Sequence, residues 1–287
     1  MTPKQRLAER VKNGIIYIVL IALATTTLFP ILFMAASSFM GRSEVLNSYG
    51  AILSGTGKMN IHIIPNFVTL QGYAEVFVLT PNYLIKFWNS LLIATAIVLG
   101  QALVACFSGY GFAKFNFPLK NVCFYLLVIL MMMPQQVTLV SNYIVLDWLG
   151  WIGSYAALIW PGVFSAFGVF LLTQVFSALP NDIMESAKID GANHIQILFR
   201  IVISHGRAGI ASLMILCFID NWNMVEQPLV FLKDRTMYPL SVFLANINAQ
   251  ALDTAFVCGL LAMLPSVLLF MHLKDALIQG IEYSNLK

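Results

Sequence analysis

The sequence predicts an all-α polytopic membrane protein with six transmembrane helices. Three observations carry this: scarce charge, long charge-free intervals and an asymmetric distribution of basic residues. Of 287 residues, 59% are hydrophobic and 10% charged, whereas a soluble domain carries roughly 25% charged residues. The formal net charge of +3 is too small to point to a nucleic-acid partner. Cys106, Cys123, Cys217 and Cys258 lie in apolar runs without a C-x-x-C pair or a His at ligand spacing. They read as small core residues, not as a zinc site or a disulfide framework.

A helix needs about 20 mostly apolar residues to cross the hydrocarbon core. The intervals Lys12 to Arg42, Lys86 to Lys114, Lys120 to Asp147 and Asp147 to Asp182 each enclose more than 20 uncharged residues, and Asp253 to Lys274 encloses 20. These are spans one to four and six. The first run, Ile15 to Ala36, exceeds the roughly 7 to 15 residues of a signal-peptide core, so it reads as an uncleaved helix. In span five the apolar run from Ala208 to Ile219 meets Asp220 and Glu226 before resuming through Leu232, and it reads as a span that carries polar residues. Pro30, Pro134, Pro161 and Pro265 fall inside spans, as hinges or as static kinks.

With six spans both termini share a side, and the excess of basic residues marks the cytoplasm. A cytoplasmic N-terminus puts 11 basic residues inside and 5 outside. The expected organisation is a cytoplasmic N-terminus over 1–13, a membrane domain over 14–278 and a cytoplasmic tail over 279–287. Within the membrane domain, an external loop covers about 41–87 and a cytoplasmic loop about 180–205. The sequence is silent on the fold of the external loop.

The cytoplasmic loop differs in chemistry from its surroundings. Ile183, Ala187, Ile195, Leu198, Phe199 and Val202 recur at helical spacing, and Asp190-Gly191 interrupts them. This predicts two short amphipathic helices joined at a Gly, the first starting at Pro180-Asn181. A helix lying on lipid is usually rich in Lys and Arg; here Asp182, Glu185 and Asp190 match or outnumber Lys188 and Arg200, which favours a protein partner.

Glu185-Ser186-Ala187-x-x-Asp190-Gly191-Ala192, followed by Phe199-x-Ile201-x-Ile203, resembles the conserved loop of bacterial ABC importer permeases, closest to the sugar-importing group and its maltose-type second permease. Asn89-Ser90, Ser108-Gly109-Tyr110-Gly111-Phe112-Ala113-Lys114, Met132-Met133-Pro134-x-Gln136-Val137, Trp222-Asn223 and Leu264-Pro265 fall in the family's order. The resemblance covers nearly the whole chain. Two departures stand out: Ser204 replaces the family's Pro and could cap the next helix through its hydroxyl, with Gly206 softening the junction, and Met224 replaces an acidic residue after Trp222-Asn223.

The resemblance implies a type I ABC importer permease fold in the bacterial plasma membrane. Its implied partners are a second, similar permease, two cytoplasmic ATPase subunits and an external solute-binding protein. The chain has no G-x-x-x-x-G-K-[ST] loop, so it is not expected to be an enzyme. It should bind no cofactor or metal, with ATP and Mg at the ATPase. Glu185, Ala187, Asp190, Gly191 and Ala192 are the implied ATPase-coupling residues. Glu185 would meet basic groups of the ATPase or stand as a solvated helix-start carboxylate, and Gly191 would make the turn. Asp190 and His194 stand at i and i+4 without a third ligand, and read as surface hydrogen-bonding groups.

A solute path must be polar where the solute passes. Gln135, Gln136, Asp220, Asn221, Trp222, Asn223 and Glu226 are the main candidates, with Gln101 and Asn142 as further ones. Acids inside a span usually face a bundle interior or water; the other reading ends span five near Ile219 and leaves both acids at the outer surface. Trp222 is a stacking platform for a sugar or an interfacial anchor. Two other classes are a membrane enzyme, for which no nucleophile-base set shares a depth, and an ion-coupled secondary transporter of a small polar solute, which often shows internal repeats.

Overall fold

The computed structural model describes residues 3–53, 64–79, 82–246 and 252–284. Every regular element among them is helical. The principal helices are α1 (Pro3–Ser37), α2 (Arg42–Leu53), α3 (Asn82–Lys114), α4 (Lys120–Met132), α5 (Gln135–Trp148), α6 (Ala156–Val163), α7 (Ala166–Ser177), α8 (Asn181–Ile189), α9 (His194–Ile197), α10 (Arg207–Trp222), α11 (Glu226–Phe231), α12 (Leu240–Ala245) and α13 (Leu252–Ser284).

Among the described residues, four helical stretches are long and apolar enough to cross a bilayer: Lys12–Ser37, Asn82–Lys114, Ala156–Ser177 and Thr254–Asp275. Two bent pairs qualify only when each is taken as one span: Lys120–Met132 with Gln135–Trp148, bent by 107°, and His194–His205 with Arg207–Trp222, bent by 77°. On that count the spans are six.

Span three, expected between Lys120 and Asp147 with a hinge or kink at Pro134, breaks there into separate helices of 13 and 14 residues. Met133 is extended at φ −71°, ψ 130°, as the residue before a Pro prefers, and Pro134 has no N–H to continue the ladder. At 1.5 Å per residue α4 reaches only about 20 Å, short of the roughly 30 Å hydrocarbon core. Span five was expected to continue to Leu232; α10 stops at Trp222 and α11 begins at Glu226. Its start also differs. Ser204 lies inside a helical turn, Ile203–His205, and caps nothing; the break falls at Gly206, whose neighbour α10 starts without a side-chain cap.

The chain forms two compact units, Met1–Tyr83 with Asn246–Met263 and Leu84–Ala245 with Leu264–Lys287. In the first, Met40, Val45 and Tyr49 form a buried cluster joined by Phe33 and Phe256. Their rings meet edge to face at 5.6 to 5.9 Å, a favoured aromatic geometry. The expected external loop is partly built here. α2 is followed by Asn66, whose N–H donates to Glu44, and Thr69, whose N–H donates to Phe39. Residues 54–63 and 80–81 of that loop lie outside the described residues.

The second unit is organised on α3 against α6 and α7. A methyl group on Gly100 would meet Val163 at 2.5 Å, and one on Gly162 would meet Ile97 at 2.7 Å. At Gly109 the neighbours are atoms that no rotamer can move: a Cβ would lie 3.0 Å from Leu172 Cβ and 3.1 Å from the Leu172 carbonyl carbon and the Thr173 nitrogen. Small residues that let helices approach closely are the usual device of membrane packing. Below them Ala105, Cys106, Tyr110, Leu172 and Phe176 bury Met184, Ile197, Leu198 and Val202 of the 180–205 loop.

At the two ends of the chain, α1 is helical from Pro3 and α13 through Ser284. Most of the expected N-terminal segment over 1–13 and tail over 279–287 therefore continues these helices, while residues 1–2 and 285–287 lie outside the described residues.

Candidate functional site

A cavity of about 830 Å³ opens in the second unit, lined by α5, the α6–α7 junction and the segment from the end of α10 into α11. That volume falls within the roughly 300–1,000 Å³ of small-molecule sites. Pro134 creates one wall. By ending α4 and starting α5 it puts Gln135 and Gln136 in the first helical turn, facing the cavity. The opposite wall arises where α10 ends. Asp220 and Asn221 occupy its last turn, and Asn223 follows as the C-cap. The amide groups of Asn221 and Asn223 donate to the carbonyls of Cys217 and Ile219, at 2.7 and 2.8 Å. They fold back on their own helix, and Ile219 O also accepts the backbone N–H of Asn223.

Two hydrogen bonds link the walls. Gln227 Nε2 donates to Gln135 Oε1 at 3.1 Å, and Gln136 Nε2 donates to Glu226 Oε1 at 3.4 Å. Asn142, Thr138 and Ser165 add further polar groups to the lining, as does Gln101, which is only 4% exposed. An environment of amides, hydroxyls and carboxylates can exchange hydrogen bonds with a polar solute at many angles. Among the described residues no cluster of His, Cys, Asp or Glu could hold a metal ion.

The structure thus gathers Gln101, Gln135, Gln136, Asn142, Asp220, Asn221, Asn223 and Glu226 in one lining. Met224, buried, also lines it. Trp222 is a correction. It is 4% exposed and lies outside that lining, stacked on Phe218 at 5.4 Å and edge-on to Phe87 at 5.6 Å. It is neither a stacking platform for a solute nor a surface anchor, because the helix turns its ring inward at the last turn of α10. Sequence reasoning missed Gln227, Thr138 and Ser165. Gln227 was the most accessible of these, as the neighbour of an acid already singled out.

The 180–205 loop has the expected two short helices. α8 begins directly after Pro180, and Gly191 adopts φ +84° between α8 and α9, a left-handed conformation that Gly enters at little cost. α9 starts with a capping box: the Asn193 side chain accepts from Gln196 N–H, and the Gln196 side chain accepts from Asn193 N–H. Lys114 roots the loop by donating to Leu179 O at 2.6 Å and Asn181 Oδ1 at 3.0 Å. His194 Nδ1 lies 3.3 Å from the Tyr110 hydroxyl, and its ring packs on Phe115. Glu185, Asp190 and Gly191 are exposed, whereas Ala187 and Ala192 are half-buried against the core. Ile189 and Ile195 are 87% and 63% exposed, so the loop carries an uncovered apolar rim.

At the other end of α3, Asn89 donates to the carbonyls of Thr236 and Tyr238, and Ser90 accepts from Leu240 N–H. The Asn89-Ser90 pair therefore binds the 234–240 segment to α3. Asp234 begins that segment: Thr236 donates to it from side chain and backbone, holding its carboxyl below the usual carboxylate range, with Lys86 adding to the effect.

Within the second unit, apolar helices wall a polar cavity and an amphipathic loop stands beyond them, an arrangement that suits a permease. Residues 101–283 match the family described as the binding-protein-dependent transport system inner membrane component, and the chain belongs to that family. It is therefore a multi-pass inner-membrane permease of a binding-protein-dependent transporter. Among its relatives is the arabinooligosaccharides transport system permease protein AraQ of Bacillus subtilis, 26% identical over 91% of this chain and 90% of that protein. The sn-glycerol-3-phosphate transport system permease protein UgpE of Brucella melitensis is 26% identical over 94% and 96%. The lactose transport system permease protein LacG of Rhizobium radiobacter is 25% identical over 96% of each. Among solved structures, a bacterial ABC transporter involved in the import of the acidic polysaccharide alginate superposes with a TM-score of 0.78 at 17% identity, covering 93% of this chain and 97% of that one. The likeness is one of fold.

Proposed function

We propose that this chain is one of two similar permease subunits of an ATP-driven importer whose cargo is a carbohydrate. Two separate cytoplasmic ATPase subunits would bind ATP and Mg²⁺, this chain would bind no cofactor, and an external solute-binding protein would deliver the cargo. The observation that carries the reading is the cavity walled by Gln135, Gln136, Asp220, Asn223 and Glu226. Its amides and carboxylates match the hydroxyl groups of a sugar, and the names of AraQ and LacG support that class of cargo. Trp222 is withdrawn from the solute path.

The 180–205 loop would seat in a groove of one ATPase, with Glu185 toward basic groups, Ala187 and Ala192 against the permease core and Asp190-Gly191 at the turn. ATPase closure would push the loop, and the motion would pass to the cavity through α3, α7 and α10. Both termini would then be cytoplasmic. A single Cys at Ser186 should react with an impermeant reagent only from the inside; the matching external position, Ser54, lies outside the described residues.

Co-purification with an ATPase and a second permease is the expected result when the tagged chain is extracted from its native membrane. Autonomous ion-driven uptake by the isolated chain would instead support a secondary transporter. In the assembled complex, replacing Asp220, Asn221 and Glu226 together by Ala should lower uptake at least tenfold with assembly unchanged. Full uptake would remove these residues from the path. Gly191→Pro and Glu185→Lys should weaken ATPase retention and solute-stimulated hydrolysis while leaving the helices inserted.

A further inference from the structure

We infer that this chain's share of the solute path admits uncharged, hydroxyl-rich solutes and turns away solutes that carry phosphate or carboxylate groups. The inference rests on the proposed role of the cavity as part of the path. It goes further by assigning the charge of the cargo.

The lining holds two carboxylates, Asp220 and Glu226, and among the described lining residues no Lys, Arg or His. Glu226 accepts from the Gln136 amide at 3.4 Å, a distance long for a charge-assisted bond and from a donor that carries no charge. The remaining polar lining consists of amides and hydroxyls, such as Gln135, Asn142 and Ser165. A site for a phosphate or a sugar acid usually supplies guanidinium or ammonium donors, and the described lining has none. α5 and α7 do begin at the cavity without side-chain caps, but a helix N-terminus carries only about half an elementary charge, so the two together fall short of the two carboxylates. Concave walls of low dielectric focus the field of like charges, changing local ion concentrations and encounter rates by about 10 to 10³. The cavity's field is negative, so it depletes anions and leaves neutral polyols unaffected. Hydroxyl groups, which both donate and accept, match mixed amides and carboxylates in a way that an acceptor-only phosphate cannot.

The test reads the field directly and requires no knowledge of the cargo. Ser165 lines the cavity and makes no cap bond with its side chain, so Ser165→Cys is close to isosteric. It is placed in a full-length chain with Cys106, Cys123, Cys217 and Cys258 changed to Ala, assembled with its native partners. Its rates with a trimethylammonium-bearing and a sulfonate-bearing methanethiosulfonate are each divided by the rate for free 2-mercaptoethanol. The expected corrected ratio favours the cationic reagent by about tenfold or more. It should fall toward one in 1 M salt, where the screening length is about 3 Å, and in the Asp220→Asn/Glu226→Gln variant. An anionic reagent that reacts as fast as the cationic one would overturn the inference, and so would a cavity that neither reagent enters. If the double variant fails to assemble, the ratio in the parent and its salt dependence still decide. Failure of the importer reading appears elsewhere, as the absence of a co-purifying ATPase, and leaves the ratio untouched.

Discussion

The two bent helix pairs reach similar shapes by different physics. At Pro134 the 107° bend is local chemistry: a residue without an N–H follows an extended Met133. At Gly206 the 77° bend has no such cause. Its φ of −82° and ψ of 6° are open to any residue. What singles out Gly206 is space, since a Cβ there would lie 2.6 Å from the Phe176 ring and 3.0 Å from Val202 O. A bend written into one residue should survive changes around it, whereas a bend that depends on a neighbour should be coupled to that neighbour.

Gly206→Leu tests the second kind and carries the largest expected effect. Overpacking costs up to about 3 kcal/mol, read as a lower thermal midpoint of the detergent-solubilised complex, and Phe176→Leu should restore part of it, because contacting residues do not add independently. An additive double variant would break the comparison. Pro134→Ala is the counterpart. It restores an N–H and a helix preference of about 3 kcal/mol, so α4 and α5 gain a straight alternative. Stability should hold while uptake falls, because Gln135 and Gln136 leave the cavity wall. Lys114→Met comes next: it removes two charge-assisted bonds at the root of the loop that feeds the Gly206 bend, at a cost of about 2 kcal/mol, with faster hydrogen exchange over α8 as the readout. Gly191→Ala should cost about 1 kcal/mol for its left-handed backbone, measurable as weaker ATPase retention. The smallest effect concerns Asp234, remote from both bends. Its pKa is lowered in the fold, so its contribution is present above the unfolded value and lost only as pH falls below the ordinary carboxylate range near 4. Loosening of 234–238 should be absent at pH 5.

The same contrast explains what could be read from sequence. Pro134 was visible as a breaker because its chemistry travels with the residue; the size of the bend was not. The junction before α10 was placed on Ser204, a residue with a capping hydroxyl, because nothing in the chain announces that Phe176 packs against Gly206. The apolar helices followed from charge-free intervals, and most residues of the cavity lining from the cost of polar groups among apolar ones. Trp222 was misread for a related reason. An indole beside acids suggests a wet surface, but its direction is set by Phe218 one turn earlier and by Phe87 on another helix. The Gln135–Gln227 bond joins residues 92 apart in the chain, so no local pattern could reveal it.

The main-chain approach at Gly109 has a mechanical meaning. Side chains between helices act as springs, since rotamers yield before backbones move; where a Cβ would lie 3.1 Å from the carbonyl carbon and nitrogen of the opposite helix, there is little to compress. α3 and α7 then behave as a single strut. At its lower end Lys114 grips Leu179 and Asn181 at the root of the loop. Gln101 lies eight residues above Gly109, about 12 Å along the axis, in the cavity lining. A tilt applied at the loop would reach the cavity undamped, with Gln101 as the tip of the lever.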